Sequence, residues 1–251
     1  MRTVGVDLAA EAKGTALAVI EWQADAARLT SLHLGVADAL IVDTARDIDK
    51  LGIDCALGWP DAFVQFVSAH ASGHTLGTAV DGAAVDGGME WRRTLAYRET
   101  DRRARAITGR WPLSVSTDRL GLTAMRCAGL LARLAESGFD TDRSGSGLVA
   151  EVYPGASLRL WGFDTRGYRA DASARRQLLA LVAAEAPWLD LAGFAELMVA
   201  SGDAFDAVIA ALAARGAALG RSTPPAPEHL EQARREGWIA LPTGPLRDLV
   251  A

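Results

Sequence analysis

The N-terminal part of the chain alternates short apolar runs with polar residues that form turns. Residues 3–8, 15–22 and 28–36 are apolar runs of strand length, and we expect them to form three antiparallel strands joined by hairpins. Residues 37–50 follow a helical pattern, and residues 52–57 (GIDCAL) form a buried run that a Gly-Trp-Pro turn closes. The sequence therefore predicts that the fold begins β-β-β-α-β. Few folds begin with this order of elements.

Longer segments with helical periodicity make up most of the remaining chain. A glycine-rich segment over residues 72–88 predicts a long loop, a feature that is usually functional in compact domains. Apolar residues spaced three and four apart indicate helices that bury one face. We expect an arginine-rich helix over 100–107, an amphipathic helix over 118–136, a strand over 148–153, and helices over 172–186, 191–201, 202–219 and 228–236.

This alternation of strands and helices predicts an α/β fold, with a sheet covered by helices on both faces. We expect a single domain over residues 1–251, in which residues of about 60–147 add the glycine-rich loop and an arginine-rich helical insertion. Cys55 and Cys127 lie in apolar surroundings without metal-ligand spacing, so we predict reduced core cysteines.

Charge and hydropathy narrow the range of partners. The formal net charge is −5, which counts against a protein that coats nucleic acid, because phosphate neutralisation supplies non-specific affinity. The sequence has neither the apolar stretch of a membrane helix nor a signal-peptide pattern at its start. We therefore expect a cytoplasmic protein without a membrane partner. The sequence leaves the oligomeric state open.

Acidic residues at the ends or in the middle of apolar elements are the first candidates for chemistry. Asp7 ends the first predicted strand, Asp54 lies within the fourth, Glu151 lies in LVAEVYP, and Asp203 and Asp206 share one face near a helix start. Each has an ordinary structural alternative: Asp203 as a helix cap, Asp7 in a turn, and Asp54 and Glu151 paired with core arginines. Together they would repel one another unless a cation neutralised them.

The residue types favour a hard cation. Carboxylate oxygens without a nearby histidine or thiolate are typical of Mg²⁺ or Mn²⁺ sites, and not of zinc sites. The histidines show no ligand spacing, His74 being the least certain of them. The sequence therefore predicts a magnesium or manganese site built from Asp7, Asp54, Asp203, Asp206 and Glu151.

Several sequence blocks follow one another along nearly the whole chain, namely GVDLA, the acid-bearing strand before Gly-Trp-Pro, YRETDR, EVYPGASL, DAFDAVIAAL and REGWIALP. In this order they resemble one uncharacterised family, domain of unknown function 429, whose members are described as predicted nucleases with a ribonuclease H-like fold. The resemblance implies a mixed sheet in which an antiparallel three-strand meander is followed by parallel strands. It also implies hydrolysis of phosphodiester bonds, an inference by analogy of fold.

The ribonuclease H-like pattern has an acid on the first strand, one on the fourth strand and at least one on a late helix. Asp7, Asp54 and Asp206 match those positions, with Asp203 or Glu151 as the fourth ligand. The implied mechanism is two-metal hydrolysis of DNA or RNA, in which the cations activate water and stabilise the leaving oxygen. All five acids are therefore candidate catalytic residues and metal ligands, and the fourth ligand is left open between Asp203 and Glu151.

Arginines interleaved with aromatic residues over residues 91–111 predict the local basic surface that an acidic nuclease needs. Arg98 and Arg102, one helical turn apart in YRETDR, are the best candidates for substrate phosphate contacts, and Lys13 in the first hairpin is a weaker one. The structural alternative is a solvated helix face on which the arginines pair with Glu99 and Asp101.

Two other classes of function compete with the nuclease. An actin-like or sugar-kinase-like ATPase opens with a similar strand, acid and hairpin, but it needs two copies of the fold and a second glycine-rich phosphate loop. This chain is short for two lobes and lacks both a second Asp-x-Gly-Gly segment and a P-loop pattern. A non-catalytic binding module with structural acids is the other alternative.

Overall fold

The apolar runs of the sequence form a six-stranded mixed β-sheet. The computed structural model of the protein describes residues 1–73 and 88–250. The sheet order is β5-β4-β1-β2-β3-β6. Strands β1 to β3 form an antiparallel meander, β4 and β5 continue the sheet parallel to β1, and β6 runs parallel to β3. The strands are β1 (Arg2–Asp7), β2 (Ala16–Trp22), β3 (Ala27–Leu34), β4 (Lys50–Asp54), β5 (Val149–Glu151) and β6 (Leu189–Asp190).

Helices in the described residues cover both faces of this sheet. They are α1 (Asp38–Thr44), α2 (Asp61–Ala71), α3 (Gly88–Ala96), α4 (Glu99–Thr108), α5 (Gly121–Glu136), α6 (Pro154–Leu160), α7 (Ala172–Glu185), α8 (Ala195–Ala200), α9 (Gly202–Ala218) and α10 (Leu230–Glu236). The α/β class and the mixed sheet predicted from the sequence are confirmed. The helices are too short or too polar for any of them, within the described ranges, to cross a bilayer.

Several predicted boundaries differ from the structure. The helix predicted over 37–50 ends at Thr44, because Lys50 pairs with Thr3 as the first residue of β4. Helices α2, α3 and α6 were not predicted. The segment 238–241 lies beside β5, where Ile239 forms a bridge with Glu151. Of the predicted glycine-rich loop, residues 74–87, which include His74, lie outside the described residues.

Alternation along β1 decides which side chains face which layer. Val4 and Val6 belong to a core that includes residues of α1 and α5. Thr3 and Gly5 face the other layer, where the Thr3 hydroxyl donates to the carbonyl oxygen of Ala211 in α9. Helix α9 is buried from Ala204 to Gly216, and its alanines let its backbone approach the strands closely. Asp7, two residues beyond Gly5, therefore lies on the α9 side of the sheet.

Gly5→Ala tests this close approach. A Cβ atom at residue 5 would lie 2.1 Å from the carbonyl oxygen of Ala207, so α9 would have to move away from β1. We expect the free energy of unfolding, measured in urea, to fall by about 2–3 kcal/mol. Gly129→Ala in α5 is the matched control, since nothing lies within 4 Å of its Cβ position, and it should be neutral or stabilising by up to about 1 kcal/mol. Equal stability of the two variants would contradict the packing.

Candidate metal centre

Asp7 and Asp54 lie side by side at the ends of two neighbouring parallel strands. The register of β1 and β4 pairs Asp7 with Asp54 directly. Gly52 is two residues before Asp54, and its Cβ position is 2.7 Å from the carbonyl oxygen of Ala210 in α9. Because side chains alternate along a strand, Asp54 shares the α9 side with Asp7. The sequence placed Asp54 inside its strand, but β4 starts earlier and ends at this residue.

Helix α9 brings Asp203 and Asp206 to the same end of the sheet. Asp206 has no exposed surface and accepts a hydrogen bond of 2.8 Å on Oδ1 from the Tyr168 hydroxyl. Asp203 lies in the first turn and lines a cavity with Asp7 and Asp54. The cap of α9 is Ser201, whose hydroxyl accepts from the amide of Ala204, so Asp203 does not have the capping role that the sequence left open.

Arg169 is a cation in this cluster that the sequence did not predict. Its Nη2 lies 3.5 Å from Oδ2 of Asp7, and its Nε lies 3.2 Å from Oδ2 of Asp206. It belongs to the loop between α6 and α7, where the buried Arg175 side chain donates to the carbonyl oxygens of Tyr168 and Arg169. This loop has no apolar periodicity, so no sequence signal pointed to it.

Burial and mutual repulsion raise the pKa values of these acids. Burial first, and then the charge of Asp206, raise the pKa of Asp7 to about 8, although Arg169 opposes the shift. Burial, followed by the charges of Asp7 and Asp206, raises the pKa of Asp54 well above its ordinary value. Burial raises the pKa of Asp206 to about 6, against the lowering effects of Arg169 and Tyr168. One arginine thus does not neutralise the cluster.

The oxygen ligands suit a hard divalent cation, but the side chains have to rearrange to hold one. Within residues 1–73 and 88–250, no three acidic, histidine or cysteine side chains are already arranged to bind a metal ion. Oδ2 of Asp206 is buried and, apart from the ionic contact with Arg169, receives no hydrogen bond. The cluster opens on a cavity of about 370 Å³. Carboxylates around a cavity with excess negative charge fit Mg²⁺ or Mn²⁺ once the exposed Arg169 side chain moves away.

Glu151 and Arg98 lie beside this cavity and pair with each other. Glu151 accepts from Nη1 and Nη2 of Arg98 at 2.7 and 2.6 Å, and also from the amide of Leu57. Asp101 and the carbonyl oxygen of Glu236 take the remaining Arg98 donors, so all five N–H groups of this guanidinium are used. Arg98 is only 2% exposed. The geometry gives these two residues a structural role, and metal binding by Glu151 and phosphate contact by Arg98 stay predictions.

Arg102 and Lys13, the other predicted substrate contacts, lie away from the carboxylates. Arg102 is bonded to Glu99 and lines a separate cavity of about 590 Å³ between α2, α3, α4 and α10. The Lys13 ammonium is exposed and forms an ion pair of 2.7 Å with Glu11. Neither residue lines the carboxylate cavity, although Gly14, next to Lys13, does. Contact of either residue with a substrate stays a prediction.

A family model described as a protein of unknown function (DUF429) matches residues 5–230 of the chain. No curated protein and no solved structure matches it. The match runs from the strand that ends in Asp7 through the helix that bears Asp203 and Asp206, so it includes the whole carboxylate cluster.

Proposed function

Since the chain belongs to the DUF429 family, whose function is unknown, we propose an activity from the site itself: divalent-metal-dependent hydrolysis of phosphodiester bonds in nucleic acid. The observation that carries the proposal is the in-register pair of Asp7 and Asp54 beneath Asp206 of α9. Paired strand-end carboxylates with a third acid on a packed helix provide the ligand set for two metal ions.

The sheet supports a ribonuclease H-like assignment for this site. The order β3-β2-β1-β4-β5, antiparallel in the first three strands and parallel afterwards, is the arrangement that the family resemblance implies. Asp7 at the end of the first strand, Asp54 at the end of the fourth and Asp206 on a late helix agree with the pattern of acids in that fold. The strand order and the positions of the acids thus both support the proposal.

In the proposed mechanism, Asp7, Asp54 and Asp206 hold the cations, and Asp203 is the fourth carboxylate. Cations held by these residues would supply an activated water and stabilise the leaving oxygen. The Tyr168 hydroxyl holds the Asp206 carboxylate in position through Oδ1. Arg169 partly offsets the charges of Asp7 and Asp206 when no cation is bound, and its exposed side chain is well placed to contact a substrate phosphate when a cation is bound.

Calorimetry with Mn²⁺ at about pH 8, close to the raised pKa of Asp7, tests the ligand set, because metal binding can displace the proton that remains. We expect uptake by the wild-type protein, and affinity weakened at least about tenfold in Asp54→Asn. Asp43→Asn, which changes an exposed acid on α1, is the control and should bind like the wild type. Absence of uptake at millimolar Mn²⁺ would refute the metal centre.

Cleavage assays test the reaction itself. Single- and double-stranded DNA and RNA should be screened with Mn²⁺ or Mg²⁺, and hydrolysis of at least one of them should depend on the metal and on Asp54. Metal uptake without cleavage of any nucleic acid would refute the nuclease and favour the non-catalytic binding module. Thermal stabilisation by ATP, without cleavage, would instead favour the ATPase.

A further inference from the structure

A second cavity of about 290 Å³ adjoins the carboxylate cluster on the side of Asp54. Three arginines line it, namely Arg110, Arg159 and Arg169. Asp54 and Arg169, together with Tyr153, line both this cavity and the one above the carboxylates. A group bound in the second cavity, hereafter the arginine pocket, would therefore lie next to the acids.

The Arg159 guanidinium is half-buried in the arginine pocket, and two of its donor atoms are unused by the part of the chain that the structure describes. Its Nε and Nη2 atoms are buried and have no hydrogen-bond partner among the described residues. Its Cζ atom lies 5.6 Å from the centre of the Tyr153 ring, which packs against the guanidinium but accepts no N–H. Buried donors without acceptors are costly, and charged ones more so. An acceptor supplied from outside the protein would remove that cost.

The comparison with Arg98 shows what is unusual about Arg159. Arg98 is also enclosed, yet two carboxylates and a carbonyl oxygen take all five of its N–H groups. Among the described residues, Arg159 has no carboxylate partner, and the nearby Arg110 is exposed. Arg169 already contacts Asp7 and Asp206, so the positive charge that remains for a ligand of the pocket is that of Arg159 and Arg110. Guanidinium donors in a fork match the oxygen atoms of phosphate and carboxylate groups, so the pocket suits a phosphate of the proposed substrate.

We propose that the arginine pocket, formed by Arg159 with Arg110 and Arg169, binds a phosphate group of the nucleic-acid backbone next to the cleaved bond. This assignment rests on the proposed function for the identity of the substrate, but the binding of an anion does not depend on it. The arginine pocket thus provides a phosphate contact, a role for which the sequence pattern had suggested Arg98 and Arg102.

Binding of inorganic pyrophosphate in EDTA tests the pocket without metal or catalysis. Calorimetry should show binding by the wild-type protein and affinity reduced about tenfold or more in Arg159→Gln. Arg28→Gln is the charge-matched control. Arg28 lies opposite Glu21 and Asp190 in the strand register, at the end of the sheet away from Asp7. Arg110→Gln is the second variant, since its exposed side chain can be changed without disturbing the fold, and it should weaken binding about threefold.

An oligothymidylate added as a competitor distinguishes nucleic acid from free phosphate. Displacement of pyrophosphate by the oligonucleotide in the wild type supports the substrate contact, and absence of displacement overturns it in favour of a site for a small phosphate. Equal pyrophosphate affinity of the wild type, Arg159→Gln and Arg110→Gln would overturn the pocket. If Mn²⁺ uptake and cleavage fail while pyrophosphate binding still depends on Arg159, the nuclease is refuted and the anion site stands.

Discussion

Asp7→Asn should make the metal-free protein more stable and at the same time remove its metal-dependent activity. The buried Asp7 carboxylate is held near Asp206 with only Arg169 to offset the repulsion. An amide of the same shape carries no charge, so we expect the free energy of unfolding at about pH 8 to rise by about 2 kcal/mol, or roughly 4–8 °C in Tm. Hydrolysis should fall by more than about 100-fold, because a metal ligand is lost.

The pH dependence of the unfolding free energy explains why Asp7→Asn should be more stable than the wild type. The folded state holds the Asp7 proton up to a pKa of about 8, well above the ordinary value of 3.8. Between those values the folded protein binds more protons than the unfolded chain, so the unfolding free energy of the wild type falls as pH rises through this window. The advantage of Asp7→Asn over the wild type should therefore grow from about pH 4 to about pH 8 and level off above it.

Thermal unfolding in EDTA across this pH range measures the effect, with Asp43→Asn as the exposed control. In separate runs without EDTA, Mn²⁺ should stabilise the wild type more at about pH 8 than at about pH 5, because Asp7 and Asp206 hold fewer protons at the higher pH. It should not stabilise Asp7→Asn to the same extent. A variant that is less stable than the wild type at about pH 8 would show that Asp7 contributes to the fold through Arg169 and does not form a strained, metal-binding site.

The strands and the first acids were predictable because their signals are local. Alternation of apolar residues located β1 to β4, and the position of Asp7 at the end of an apolar run follows from the sequence alone. The convergence of Asp7 with Asp206 needs contacts across almost the whole chain, and periodicity carries no information about them. The prediction that these two acids converge came instead from the family resemblance.

Arginines were the residues that the sequence interpreted least well. Arg98 lies in a charge-rich block typical of an exposed helix face, and only the structure brings Glu151 against it. Arg169 and Arg159 lie in or beside a loop without a pattern, so their position near Asp54 depends on how α6 leaves β5. Helix α6 itself had a usable signal, since Pro154 occupies its first turn. Charge type alone does not tell whether an arginine is buried, paired or available.

Arg98→Ala should destabilise the protein by about 3–5 kcal/mol, the largest loss of stability that we predict. Removing the guanidinium leaves Glu151 and Asp101 buried, close together and without their counter-charge. Arg102→Ala is the matched control one helical turn away. Its side chain is 40% exposed, pairs with Glu99 and donates to the carbonyl oxygen of Tyr97, so its loss should cost less than about 1 kcal/mol.

Urea unfolding of the two variants measures the difference, and a double variant identifies its cause. Arg98→Met combined with Glu151→Leu removes most of the buried charge, so it should recover part of the stability that Arg98→Ala loses. Near wild-type stability of Arg98→Ala, together with weakened binding of nucleic acid, would contradict the structural role. In that case Arg98 would be the phosphate contact that its place in YRETDR suggests, and the Glu151 carboxylate would be available to the metal centre.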